Sequence, residues 1–135
     1  MSRRRVIELP YAKHAAPIPT AVVIDNVLAT SAIFGADHSS GQVPEAFEDE
    51  VACLFANIAA VLELAGASAA DVLKMDVLLR EGEYRRLVNQ HWLAMFPDPA
   101  DRPARHITVV PNLPARAQIE VMALLPPLVD YGVTR

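Results

Sequence analysis

Along residues 44–65 the apolar side chains Phe47, Val51, Leu54, Phe55, Ile58, Leu62 and Ala65 recur at steps of three and four. That is the period of a helix with one buried stripe. Pro44 suits a first turn, Glu45, Glu48 and Asp49 suit the positive end of the helix dipole, and Gly66 stands where a stop is needed. A second stripe, Tyr84, Leu87, Val88, His91, Trp92 and Met95, predicts a shorter helix ended by Pro97. Elsewhere the period falls to two. Over residues 72–79, Leu73, Met75, Val77 and Leu79 share one face, and Lys74 and Asp76 the other. Apolar, β-branched runs at 6–9, 21–24 and 27–34 read as strands, with Asp25 and Asn26 as a two-residue hairpin turn between the last two. Pro17 and Pro19 flank Ile18 and make 13–20 a loop; 37–41 is a polar loop. With two further strands near the end of the chain, the order is three strands, helix, strand, helix, two strands. This predicts a single α+β domain over residues 1–135, with one mixed sheet of about six strands and both helices on one face.

The two last strands carry the candidate chemistry. Arg105 opens the run Ile107, Thr108, Val109 and Val110, a turn-rich segment follows at Pro111, Asn112 and Pro114, and Glu120 sits inside a second alternating run. A simple hairpin about Asn112 and Leu113 would set Arg105 opposite Glu120; a longer connection would send the last strand elsewhere in the sheet. An arginine fork grips a small carboxylate at two points, and a glutamate can hold a water and take its proton, so the pair suits addition of water beside a carboxylate. Two duller readings stay open: a solvated strand-end arginine, and a structural salt bridge with no substrate.

Composition narrows the partners. Hydrophobic residues make up 53% of the 135 but aromatics only 6%, so Ala, Val, Ile and Leu must build the core, and further apolar surface is expected between subunits. The net charge is −4, and the one dense basic cluster is Arg3, Arg4 and Arg5, which argues against nucleic acid as a partner. Cys53 stands alone, so no internal disulfide forms, and it is expected to pack as a small apolar residue. Glu8 and Pro10 interrupt the first residues before any signal-peptide core, and no run approaches the roughly 20 apolar residues of a membrane span. A cytoplasmic location without a membrane partner is the expectation. The histidines, His14, His38, His91 and His106, lack metal-ligand spacing; Ser31, in ATSAIFG, lacks a nucleophile-elbow turn; and no glycine-rich phosphate loop is present. His106 adjoins Arg105 but, in a strand, points to the opposite face.

These residues give the chain a family likeness. PAR at 103–105, followed by Glu120 within IEV at 119–121, resembles the RidA (YjgF) family of imine and enamine deaminases. Weaker matches are ATS at 29–31, ANIAAVLELAGAS at 56–68, DVLKMDVLL at 71–79 and LVNQHW at 87–92, so the likeness spans roughly 14–125. It implies a chorismate-mutase-like subunit, a homotrimer with sites in the clefts between subunits, and no cofactor or metal. It also implies that Arg105 holds a substrate carboxylate and Glu120 places the attacking water, while Ser31, Ala32, Ile18, Asn89 and Ile107 line or support the pocket. The chain departs from the family pattern where a glycine, proline, tyrosine and serine give way to Ala16, Pro17, Ile18 and Pro19, where Ala32 replaces a glycine, and where Ile107 replaces a cysteine. The carboxylate grip is kept and the wall becomes more apolar. The implied activity is hydrolytic deamination of a small 2-imino or 2-enamino carboxylate to a 2-oxo acid and ammonia, with a 2-aminomuconate-type compound as one substrate on such a scaffold. The alternative is a non-enzymatic trimer that binds a small carboxylate or serves regulation.

Overall fold

The structure is a computed structural model that describes residues 2–127; Met1 and residues 128–135 of the expected domain lie outside the described residues. Six strands, β1 (Arg5–Ile7), β2 (Ala21–Ile24), β3 (Val27–Thr30), β4 (Val72–Leu79), β5 (Ala104–Val109) and β6 (Ala117–Leu124), form one mixed sheet in the order β1-β2-β3-β6-β4-β5. Two helices, α1 (Phe47–Ala65) and α2 (Arg85–Met95), pack on one face of it.

The local signals act as their chemistry requires. The β2–β3 turn closes through Asp25 at φ 55°, the left-handed conformation that a two-residue hairpin needs and that aspartate tolerates better than most residues. Gly66 ends α1 at φ 83°, and the Ala67 N–H reaches back to the Leu62 carbonyl, which satisfies the helix end. The apolar stripe of α1 lies on the inward rows of β3, β4 and β6, so Leu28, Leu54, Ile58, Met75, Leu79 and Ile119 are all fully buried. Such burial contributes about 1.5–3 kcal/mol for each large aliphatic side chain.

Three expectations need correction. The run 27–34 is not one strand: the ladder of β3 stops at Thr30, and the chain touches β6 again only through the bridge between Ile33 and Ile119. Leu73 does not share the face of Met75, Val77 and Leu79, because a bulge between Val72 and Lys74 leaves it 51% exposed. Most important, β5 and β6 form no hairpin. β4 lies between them, parallel to β5 and antiparallel to β6. The connection crosses this gap past the end of β4, where Arg80 holds it: its Nε donates to the Leu113 carbonyl at 3.0 Å, its Nη2 to the Pro114 carbonyl, and its backbone N–H to the Arg116 carbonyl. Met75, Val77 and Leu79 are almost wholly buried in this central position, which an edge strand could not offer them.

Candidate active site

Register decides where the two candidate groups point. Met75 of β4 stands opposite both Arg105 and Val121, while Asp76 stands opposite both His106 and Glu120. Residues in one cross-strand row share a face. Arg105 therefore lies on the helix side with Met75 and Val121, and Glu120 lies on the open side with Asp76 and His106. The two do not face each other in one chain, and the hairpin-built pair is excluded.

Arg105 is half-buried on the edge strand beneath α2. Its Nη1 donates to Asn89 Oδ1 at 2.7 Å, and its guanidinium carbon lies 4.7 Å from the centre of the Trp92 ring. Asn89 and Trp92 are three residues apart on α2 and so present one surface to the cation. No carboxylate among the described residues pairs with Arg105. Burial, and then the nearby Arg85, push its pKa down from the usual guanidinium value. An anion would relieve both effects. Ile107, two residues along β5 on the same side, is half-buried beside it.

The remaining candidates gather elsewhere. Ile18 and Ala32 line a cleft of about 580 Å3 together with Tyr11, Phe34, Val43, Pro114 and Gln118. Gln118 precedes Glu120 by two residues on β6, so cleft and carboxylate open on the same face. The wall is fixed from behind by Asn57, buried in α1, whose Nδ2 donates to the Phe34 and Ala36 carbonyls at 2.8 and 2.9 Å and whose Oδ1 accepts the Tyr11 hydroxyl at 2.6 Å. Ser31 is not part of this lining; its N–H donates to the Thr20 carbonyl at 2.9 Å. One chain thus carries the candidate residues in two separate groups: Arg105, Asn89 and Ile107 at its edge, and Glu120 with the Ile18–Ala32 cleft on its open face.

Sequence reasoning missed the group that anchors this arrangement. Glu50, 1% exposed, accepts Arg116 Nε at 2.5 Å, while the Arg116 Nη1 and Nη2 donate to the Glu45 and Pro44 carbonyls at 2.8 and 2.7 Å. The signal was available, since Glu50 falls between Phe47 and Leu54 on the apolar stripe of α1, where a carboxylate needs a partner. The other singled-out residues are quieter. His91 stacks on Phe55 at 5.4 Å, His106 points away from Arg105 as its strand position requires, and Cys53 is half-buried, its thiol pKa raised by burial and then by Asp37. Among the described residues no three of His, Cys, Asp and Glu are grouped as a metal needs, and no helix is long and apolar enough to cross a membrane.

Known proteins share this architecture. Residues 11–125 match the family described as endoribonuclease L-PSP. A 2-iminobutanoate/2-iminopropanoate deaminase from Capra hircus is 33% identical over 129 residues, which cover 93% of each chain. A RutC family protein from Aquifex aeolicus is 28% identical over 111 residues, 78% of this chain and 89% of that one. The crystal structure of RidA from an Antarctic Psychrobacter species superposes with a TM-score of 0.80 at 26% identity, covering 89% of this chain and 98% of that one. None of these names extends to a 2-aminomuconate-type substrate. With the fold, the PAR and IEV segments and these likenesses in agreement, the chain belongs to the endoribonuclease L-PSP family, the RidA (YjgF) family in which imine and enamine deaminases are found.

Proposed function

We propose that the protein is a cofactor-independent deaminase that hydrolyses small 2-imino or 2-enamino carboxylates to 2-oxo acids and ammonia, acting as a homotrimer with each site shared between two subunits. The carrying observation is the half-buried Arg105 guanidinium, oriented by Asn89 and Trp92 and without a carboxylate partner among the described residues. An unpaired, partly desolvated cation favours an anionic ligand, and its planar fork suits a carboxylate. Since Arg105 and Glu120 occupy opposite faces of one sheet, a site that uses both takes them from different copies. The open face, where Val6, Val27, Met122 and Leu124 are 40–57% exposed, supplies apolar surface for such an assembly.

In this reading Arg105 of one subunit orients the substrate carboxylate, which places the adjacent C=N carbon beside Glu120 of the next. Glu120 accepts a proton from water as the water oxygen bonds to the imine carbon, and the nitrogen is protonated to give a carbinolamine. Collapse of the carbinolamine to C=O breaks the C–N bond and expels ammonia. Carboxylate binding by Arg105 is a charge-assisted contact of about 1.5–3 kcal/mol. Arg105→Ala should therefore lower kcat/KM at least about tenfold, measured as ammonia release from imines made in situ by an amino-acid oxidase. An unchanged rate removes the arginine from the mechanism. Binding of 2-oxo acids without turnover of any imine would favour the carboxylate-binding module instead.

A further inference from the structure

We infer that this protein prefers 2-imino acids with a large apolar side chain, such as isobutyl or benzyl, over the methyl-bearing 2-iminopropanoate, and that the Ile18–Ala32 cleft is the pocket that selects them. The inference rests on the deaminase reading above and specifies its substrate class. A carboxylate held by Arg105 and an imine carbon beside Glu120 leave the rest of the substrate to lie along the open face, where the cleft adjoins Glu120 through Gln118. On the single chain the open cleft measures about 580 Å3, and Ile18, Ala32, Phe34, Val43 and Pro114 make its wall chiefly apolar. A methyl side chain would leave that wall wet or empty, whereas each added methylene buried against it improves transition-state binding by about fourfold.

The wall is also built to keep its shape. Asn57 ties down the backbone on either side of Gly35, Arg80 ties down Pro114, and His14 sets its ring edge-on to Phe34 at 4.9 Å. A fixed apolar surface rewards a side chain that fills it, because no ordering of the wall has to accompany binding. Ala32 is a small, half-buried residue of the lining, where a larger side chain would take up cleft space, and Ile18 leaves 46% of its surface exposed for an apolar group to cover. The polar lining is confined to Lys13, His14, Gln118 and the Tyr11 hydroxyl, and the hydroxyl is already donated to Asn57.

The test compares kcat/KM for the imines of alanine, leucine and phenylalanine, generated by an amino-acid oxidase and followed by ammonia release, in the unmodified protein and in Ala32→Leu. The expected result is a preference of at least about tenfold for the leucine- or phenylalanine-derived imine. In Ala32→Leu that ratio should fall at least about fivefold, with an unchanged melting temperature as the control for folding. Turnover of all three imines at similar kcat/KM, or a ratio that Ala32→Leu does not move, overturns the inference and leaves the deaminase reading standing. Absence of turnover for every imine overturns both.

Discussion

A guanidinium set over an indole ring and tied to one amide oxygen is held in place with most of its donors unspent, and this is why Arg105 is proposed as a carboxylate receptor rather than a strut. A lysine at the same position would keep the charge but lose both the stack and the two-point grip. Arg105→Lys should consequently lose about tenfold or more in kcat/KM on an imine substrate; activity near that of the unmodified protein would mean that charge alone suffices. Arg116 has the opposite role. Its three donor groups are all engaged, and Glu50 beneath it is sealed from water. Truncation to Arg116→Ala leaves a buried carboxylate uncompensated and should cost about 3 kcal/mol or more in urea unfolding; a loss below about 1 kcal/mol would contradict the description of this pair. Both arginines sit in the same short stretch of sequence. What separates them is that Arg116 has a buried carboxylate partner and Arg105 has none among the described residues, which no pattern of residues states outright.

At the scale of elements, periodicity reported most of the fold: both helices, the Asp25–Asn26 hairpin, and the alternation of Met75, Val77 and Leu79 are present, although α1 begins at Phe47 and leaves Pro44 and Glu45 before its first turn. The sequence leaves the pairing of β5 with β6 open between a hairpin and a longer connection, and the structure takes the second. A strand's alternation records which face is buried but not which neighbour lies beside it, and here the connection is held by Arg80 contacts with carbonyls far along the chain. The same gap leaves the faces of Arg105 and Glu120 undetermined, because strand order sets which row each joins. The loop that carries Phe34 is fixed with equal specificity. A β-carbon on Gly35 would come within 2.2 Å of the Glu50 carbonyl oxygen, so Gly35→Ala must push this loop off α1. A melting temperature lower by about 5 °C or more is expected, and an unaltered one would show that the contact is looser than it looks. The join of β1 to β2 is sensitive to pH. The Thr20 N–H and hydroxyl donate to Glu8 Oε1 at 2.8 and 2.9 Å and hold the Glu8 carboxyl below its usual range. The folded state thus gains stability from Glu8 above the ordinary carboxylate pKa, and loses it as pH falls through the lower folded value. The melting-temperature difference between the unmodified protein and Glu8→Gln should be greatest near neutrality and shrink in acid; a difference independent of pH would contradict this.

For the whole molecule, one sheet with helices on one face leaves Val6, Val27, Met122 and Leu124 exposed on the other, and it places Arg105 and Glu120, the cores of the two proposed half-sites, on opposite sides of that sheet. The central claim is that these two half-sites act together across a subunit boundary. Subunit mixing tests it most directly: Arg105→Ala and Glu120→Gln, each expected to be impaired alone, are unfolded together, refolded as mixed assemblies and assayed for ammonia release from an imine. If each site takes its arginine from one subunit and its glutamate from the next, random assortment restores about one site in four. Activity that stays at the background of the separate variants, or a Glu120→Gln protein that is fully active by itself, would contradict the account.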